Sequence, residues 1–534
     1  MSEAPLMLGV SGLRGIVGES LTPEVAVRYA AAFGTWLQRV YTSYQFAGSE
    51  GGPIVMVARD GRAGGEQTYE AVIDGLLRTG CSVYAAGVQM TPTVGCAIEC
   101  GLHMRHGVVV TASHNPQEWN GIKLLVDGAA PPVDIANIII TEYQGLAVIG
   151  SQAGQLSEYD NAELLHIEEV GDRLGLALNH YGEDPSRQRP LTIRSNNPYH
   201  VVVDSVNTSG RVIVPGFFAD LANVELHHLF ADESGIFPHT PEPTAENLSG
   251  EGGLCDAVPE LKADVGFAQD PDGDRLAIVD EKGSYIGEEY TLVLAAMSIL
   301  EARKSRGREH AGGAEEDGAL TPALSRGARE RGEEEKTPHP GPLPEGEREE
   351  ETIICVNLST SRMIDDVAAK YGARVVRTAV GEANVVEAMK KLKREGKDVI
   401  LGGEGNGGVI WPEVTYVRDS LGAMALTLSL MARTGKTVSE LVADVPSYAI
   451  VKRKQPLAKK EDARPTIEKL TAHYSAMGEG VRVDTQDGVR IDFEADRAWV
   501  HVRASNTEPI LRLIGEAPTR ERAEAVLDEV QRLV

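Results

Sequence analysis

Cysteine is scarce in this 534-residue chain, and the five present (Cys81, Cys96, Cys100, Cys255 and Cys355) are odd in number and scattered, without a paired CxxC spacing. That pattern speaks against a zinc site and suits a reducing compartment. Cys96 and Cys100, four apart on an expected helix, read as core packing. Positive charge is in deficit as well: 52 Lys and Arg stand against 79 Asp and Glu, a formal net charge of −27. A protein that neutralises nucleic-acid phosphates or docks on an anionic membrane needs the opposite balance, so neither partner is expected. Long hydrophobic runs are missing too. The longest, near Leu292 to Leu300, is far too short to cross a bilayer, and the N-terminus lacks a basic-then-apolar signal, so the expectation is a cytoplasmic protein. What the chain does have is 42% hydrophobic residues, ample for several cores. At about 150 residues per domain its length predicts three or four domains.

Strand-like runs (Ile54 to Val57, Ser82 to Ala86, Val108 to Val110) alternate with amphipathic stretches of helix length (Glu66 to Arg78, Val94 to Gly101). This alternation is the signal for βα units in a largely parallel, mixed sheet. The cadence recurs from Val201 to an acidic loop near residue 270, and again from Thr352 to a glycine-rich stretch near 404. The predicted fold class is α/β: three related α/β domains with mixed sheets, then from about Ser447 an α+β domain ending in a helix over Arg520 to Leu533. The stretch from about Arg303 to Glu351 is rich in Gly, Pro, Glu and Arg and has no hydrophobic periodicity. Unable to bury a core, it is expected to be a disordered surface loop interrupting the third domain. Its pieces 320–325 and 337–344 look like translated repetitive DNA.

Two motifs carry chemistry. Thr111-Ala112-Ser113-His114-Asn115-Pro116 follows the run Val108-Val109-Val110 and puts a hydroxyl at the end of a buried strand, where α/β sheets keep their chemistry. Ser113 there can carry a transferable phosphoryl group, with His114 and the Asn-Pro turn fixing its direction and Lys123 supplying a nearby positive charge. Taken alone, the six residues fit an ordinary strand-to-helix turn equally well. The second motif, Asp270-Pro271-Asp272-Gly273-Asp274-Arg275, sets three carboxylates at alternate positions between two apolar runs. Pro271 and Gly273 hold the loop tight, so the three can converge on one hard divalent cation, and Mg²⁺ suits a site with few carboxylates plus a phosphate oxygen. A calcium EF-hand would take Asp270, Asp272, Asp274 and Glu281 at positions one, three, five and twelve, but its sixth position needs glycine and here is Arg275.

With two further loops in the same order, the chain resembles the α-D-phosphohexomutase superfamily. Gly402-Gly403-Glu404-Gly405-Asn406-Gly407-Gly408 is similar to that family's sugar loop, and Arg503-Ala504-Ser505-Asn506-Thr507-Glu508-Pro509 to its phosphate-binding loop. Supporting stretches are Gly9 to Gly15, Phe237 to Pro243 and Arg377 to Asn384. The resemblance implies four domains around a central cleft: residues 1–165 with the phosphoserine loop, 166–287 with the metal loop, 288–430 with the sugar loop and the insertion at about 303–351, and 431–534 with the phosphate loop. It implies that Ser113 is the phosphate carrier and that Mg²⁺ is held by Asp270, Asp272, Asp274 and Ser113. The reaction implied is interconversion of hexose 6-phosphate and hexose 1-phosphate through a hexose 1,6-bisphosphate, which also serves as activator. Glu404 and Asn406 would meet the sugar, while Arg503, Ser505, Asn506 and Thr507, with Arg512 nearby, would hold the phosphate that is not reacting.

Arg14, Lys123, Arg275, Arg503 and Arg512 are expected to make the cleft locally positive in a negative body. Lys123, its pKa depressed by neighbouring cations, is the candidate base, with a structural pairing to phosphate as the alternative. Arg14, Arg59 and His114 are candidates for orienting the phosphoserine or for scaffold contacts. Many relatives carry Ser and His in the sugar loop where this chain has Asn406 and Gly408, which removes one candidate base. The loops look most like the archaeal-type phosphoglucosamine mutase branch, with phosphomannomutase or phosphoglucomutase as the alternative. From other classes, a metal-dependent sugar phosphatase would share the serine and aspartates but needs water at the phosphoserine, and a sugar-phosphate-binding protein would have no use for them. A monomer or homodimer acting on a small hexose phosphate is the expected assembly.

Overall fold

The computed structural model describes residues 5–43, 52–101, 104–145, 154–174, 198–221, 223–312, 351–505 and 509–534. Four sheets follow one another along the chain. The first has seven strands in the order Leu6–Gly9, Gly12–Ile16, Trp119–Val126, His106–Val110, Ile54–Arg59, Ser82–Val88, Leu156–Glu158. The second runs Leu276–Asp280, Val265–Gln269, Tyr199–Asp204, Val224–Leu229, and the third Gly408–Ile410, Asp398–Glu404, Thr352–Asn357, Arg374–Thr378.

A common unit lies inside all three. Its first strand (Ile54–Arg59, Tyr199–Asp204 or Thr352–Asn357) pairs in parallel with the second and third, and the fourth returns antiparallel on the third. Parallel neighbours need helical crossovers, supplied by Glu66–Arg78 and Thr91–Cys100 in the first unit and by Met363–Lys370 and Glu382–Arg394 in the third. The central parallel strands His106–Val110, Val265–Gln269 and Thr352–Asn357 are buried along nearly their whole length, as a sheet covered on both faces requires. In each unit the turn from third to fourth strand is one of the three loops singled out above, at the C-terminal end of a parallel strand.

The fourth sheet is wholly antiparallel, in the order Ala449–Pro456, Ile510–Ala517, Ala498–Ala504, Val489–Phe493, Val481–Asp484, with helices Ala463–Ser475 and Arg520–Gln531 packed against it. The start of the stretch expected to loop from about Arg303 is helical instead. Helix Glu288–Gly312 carries on through the helix-forming run Glu301-Ala302-Arg303-Lys304, and Arg303 is tied down by Asp398 on the neighbouring sheet. Residues 313–350, the rest of the stretch so expected, lie outside the described residues. Among the described residues no helix is long and apolar enough to cross a membrane.

Candidate active site

Ser113 is 2% exposed and has φ of +50°, a left-handed conformation uncommon for a residue with a side chain. Its surroundings over-determine it. Ser113 N donates to Thr111 Oγ1 at 2.8 Å, and that hydroxyl donates to Asp60 Oδ2 at 2.7 Å. Arg62, 1% exposed, donates from Nε to Asp60 Oδ2 at 2.8 Å, from Nη1 to Trp119 O at 2.8 Å and from Nη2 to Ser113 O. Arg14 donates to Asn115 Oδ1 at 2.8 Å and to Ala112 O at 3.3 Å. So braced, Ser113 Oγ donates to Asp270 Oδ2 at 2.6 Å, with His114 Nδ1 3.3 Å away. Burial, then the Arg275 and Arg14 cations, hold His114 neutral by lowering its pKa to about 3. Arg59 instead pairs with Glu66, at 3.0 Å.

The acidic loop joins Val265–Gln269 to Leu276–Asp280, and Gly273 is obligatory in it. Its φ is +67°, and a Cβ there would meet Met90 Sδ at 2.3 Å. All three carboxylates are fully buried. Each commits at least one oxygen to the protein. Asp270 Oδ1 accepts from the backbone of Asp274 and Arg275, both at 3.1 Å. Asp272 Oδ2 accepts from Thr91 Oγ1 at 2.6 Å and Lys123 Nζ at 2.7 Å, and Asp274 Oδ2 from Lys123 Nζ at 2.7 Å and Arg418 Nη2 at 2.6 Å. Asp272 Oδ1 and Asp274 Oδ1 are buried without a hydrogen-bond partner among the described residues, while Asp270 Oδ2 holds Ser113.

Ligand atoms of the three aspartates lie within 4.8 Å of one another. Bare carboxylate oxygens in the interior are costly unless a cation meets them, and an all-oxygen donor set fits a hard one such as Mg²⁺. Burial, then Asp274 and Asp272, push the Asp270 carboxyl well above its usual range. For Asp274 burial acts in the same direction, but Arg418, Lys123 and Arg275 more than offset it and hold that carboxyl below its usual range. Glu281 bonds Ser439 N at 3.2 Å instead of joining the cluster, and the loop is flanked by strands, so the EF-hand geometry is absent here.

The setting expected for Lys123 is corrected. Burial alone would lower its pKa, but Asp272 and Asp274 outweigh burial and raise it above the usual lysine value. The neighbours that dominate are carboxylates, not cations. Arg275 lies 3.9 Å from Asp274 Oδ1, and its buried Nε has no hydrogen-bond partner among the described residues.

Glu404 ends strand Asp398–Glu404 and is 6% exposed. Its Oε1 accepts from Asn357 Nδ2 at 2.8 Å and Gly381 N at 3.2 Å, and its Oε2 from Arg418 Nη1 at 2.9 Å. Asn406 Oδ1 is buried with no hydrogen-bond partner among the described residues. On the fourth sheet Arg503 pairs with Asp487 at 3.0 Å, and exposed Arg512 stands directly across the ladder from it. Ser505 is buried at the end of that strand, while Asn506 and Thr507 lie outside the described residues.

Sequence reasoning missed Arg62 and Arg418, the two buried guanidiniums that tie these loops together. The signal available was position: Asp60-Gly61-Arg62 follows the first parallel strand, and Arg418-Asp419 directly precedes the apolar helix Ser420–Thr434. A charged residue at either place is poorly explained as solvated surface.

Comparison with known proteins agrees with this geometry. The chain matches Phosphoglucomutase/phosphomannomutase, alpha/beta/alpha domains I, II and III over residues 5–157, 183–283 and 343–448, and the C-terminal domain over 451–533. It is 32% identical to a Methanopyrus kandleri protein named "Probable phosphoglucosamine mutase", covering 98% of this chain and 96% of that one. A crystal structure of a phosphoglucomutase/phosphomannomutase family protein from Burkholderia thailandensis superimposes with a TM-score of 0.72 at 25% identity, covering 99% and 97% of the two chains. A Thermococcus kodakarensis phosphoglucomutase/phosphomannomutase shares 33% identity over 98% of this chain and 97% of its own. Four domains in family order and identity sustained over nearly the full length of both chains place this protein in the phosphoglucomutase/phosphomannomutase family of phosphohexomutases.

Proposed function

We propose that this mutase interconverts glucosamine 6-phosphate and glucosamine 1-phosphate through phosphorylated Ser113 and a hexose 1,6-bisphosphate. The observation that carries the reading is Ser113 Oγ, held 2.6 Å from Asp270 Oδ2 beside two buried carboxylate oxygens with no hydrogen-bond partner among the described residues. Asp270, Asp272, Asp274 and an oxygen of the Ser113 phosphate would hold Mg²⁺, which when bound neutralises charge on the phosphoryl oxygens. The hydroxyl of the hexose monophosphate attacks phosphorus, the bond to Ser113 Oγ breaks, and the sugar's hydroxyl proton is passed on while Oγ regains one. The bisphosphate then turns end over end, and its other phosphate returns to Ser113 by the reverse step.

Arg62, Arg14 and Thr111 keep Oγ aimed throughout, and preorganisation of this kind is most of what phosphoryl transfer asks of a protein. Glu404 and Asn406 meet the ring, whose hydroxyls change place little when the two ends swap. Arg503, Ser505, Asn506, Thr507 and Arg512 hold the idle phosphate. A cleft closed to water keeps the phosphoryl group from hydrolysis.

The amino sugar is favoured by relatives from Methanopyrus kandleri and Pyrococcus abyssi, both named as phosphoglucosamine mutases. A second reading, glucose or mannose phosphate, is favoured by the Thermococcus kodakarensis relative's name. Kinetics on the 6-phosphates of glucosamine, glucose and mannose, with Mg²⁺ and catalytic hexose 1,6-bisphosphate, decide between them. The highest kcat/KM is expected for glucosamine 6-phosphate. A win for glucose or mannose would reject the amino sugar and keep the mutase, and release of inorganic phosphate in place of isomer would reject both.

A further inference from the structure

Arg418 belongs to none of the four loops, yet it touches two of them. Its side chain is 10% exposed and faces three carboxylates: Asp274 Oδ2 at 2.6 Å, Glu404 Oε2 at 2.9 Å and Glu382 Oε2 at 3.2 Å. Counting acceptor positions shows what this fork does. Asp274 Oδ2 is filled by Arg418 and Lys123, so only Oδ1 is left for a cation. Glu404 Oε1 is filled by Asn357 and Gly381, and Oε2 keeps one acceptor position beside Arg418 for a sugar hydroxyl. A guanidinium is rigid and planar, so the two carboxylates are fixed relative to each other through it.

The surrounding sequence makes room for Arg418 and anchors it. A Cβ on Gly408, in the sugar loop, would meet Arg418 Cδ at 2.3 Å. The next residue, Asp419, caps helix Ser420–Thr434 through Leu421 N and Gly422 N and is paired with fully buried His166 at 3.0 Å.

We propose that Arg418 is a positioning residue of the mutase reaction: it locks the sugar-facing carboxylate Glu404 to the metal-loop carboxylate Asp274, so that the ring's contact with Glu404 sets which hydroxyl meets the phosphoryl group. The inference rests on the phosphohexomutase reading. It requires both a charge beside Asp274 and two separately directed nitrogens, and those requirements come apart in Arg418→Lys and Arg418→Met. On the substrate-free protein, calorimetric titration with Mg²⁺ should show Kd about tenfold weaker in Arg418→Met and within about threefold of wild type in Arg418→Lys. In turnover both variants should lose about 100-fold in kcat with KM changed less than about threefold, because a misplaced ring still binds.

The kcat effects of Arg418→Met and Glu404→Gln should not multiply in the double variant. Wild-type kcat in Arg418→Lys, unchanged Mg²⁺ affinity in Arg418→Met, or independent multiplication would each overturn the proposal. If Arg418→Met does not fold, Arg418→Lys decides alone, since it keeps the charge and loses the fork. A wild-type protein that turns over no hexose phosphate would refute the functional reading, while the Mg²⁺ comparison would still judge Arg418.

Discussion

Cys96, Phe267 and Ile354 come from the first three matched domains in turn, yet they lie in one apolar cluster; Leu470, Leu513 and Val526 of the fourth belong to a cluster whose described members all fall within residues 451–534. What joins the fourth domain to the rest is polar. Ser359 Oγ meets His501 Nδ1 at 2.9 Å, Glu516 Oε1 accepts from Arg362 N at 2.9 Å, Lys452 Nζ donates to Glu288 at 2.6 Å, and Arg490 donates to Leu358 O. Apolar contacts shared across domains resist sliding, whereas hydrogen bonds at an edge can be exchanged for water at small net cost. The serine, the aspartates and Glu404 all sit on the fused part, where Ångström-level placement matters most. Arg503 and Arg512 sit on the separately cored part, which under the proposed mechanism has to release a bisphosphate long enough for it to turn.

The largest effect expected is at the centre of the fused part. Ser113→Ala removes the proposed phosphate carrier, and kcat should fall by at least about 10⁴-fold while the thermal transition hardly moves; residual activity within tenfold of wild type would refute the carrier role. Next is a test of the separate cores. Leu470→Ala leaves a cavity in the fourth domain alone and should cost about 3 kcal/mol there, so calorimetry should show an early transition split from the main one. Leu426→Ala, in the shared cluster, should instead lower the main transition as a whole. A single transition shifted alike by both would mean that the four domains unfold as one unit. Smaller again is Arg503→Ala, which should raise KM for a hexose 6-phosphate about 30-fold with a lesser change in kcat, because its proposed partner is the phosphate that is not reacting.

The smallest effect is electrostatic. His106, packed edge-on to Phe33 and Trp36, and His501, in the polar joint, are buried, and burial lowers the pKa of each to about 4. Below about pH 6.5 the unfolded chain binds protons that the folded one refuses. Stability therefore falls as pH drops from about 6.5 to about 4, by up to about 2 kcal/mol per histidine at pH 5. His501→Gln should flatten that slope for the fourth-domain transition and leave it for the rest; equal slopes before and after would place the acid sensitivity elsewhere.

Much of this architecture was legible in the residues. The expected strand Ile54 to Val57 is Ile54–Arg59, the expected helix Glu66 to Arg78 has those bounds, and the terminal helix begins at Arg520 as read. Alternation of β-branched runs with amphipathic stretches reports topology directly, because each period is a local property. The aspartate cluster was legible for the same reason, since three carboxylates in five residues converge whatever the rest of the chain does. Arg418 was not, because its three partners lie 14 to 144 residues away and only the folded chain brings them together. Lys123 was misjudged for a related reason. Its sequence neighbourhood gives no hint that two carboxylates from another domain would close on it.

The four-strand unit that recurs in the first three domains has a consequence for how such a cleft arises. The end of the third strand and the turn from it to the antiparallel fourth hold Ser113 in the first copy, the aspartates in the second and Glu404 in the third. The end of the first strand or the residue just after it props that segment from behind, through Asp60 to Thr111 in one copy and Asn357 to Glu404 in another. The proposed nucleophile, metal cradle and sugar grip are thus three inscriptions on one interchangeable part. Chemistry in this lineage can be rewritten in a few turn residues without disturbing a strand, and a designer wishing to graft a fourth activity knows which short segment to replace.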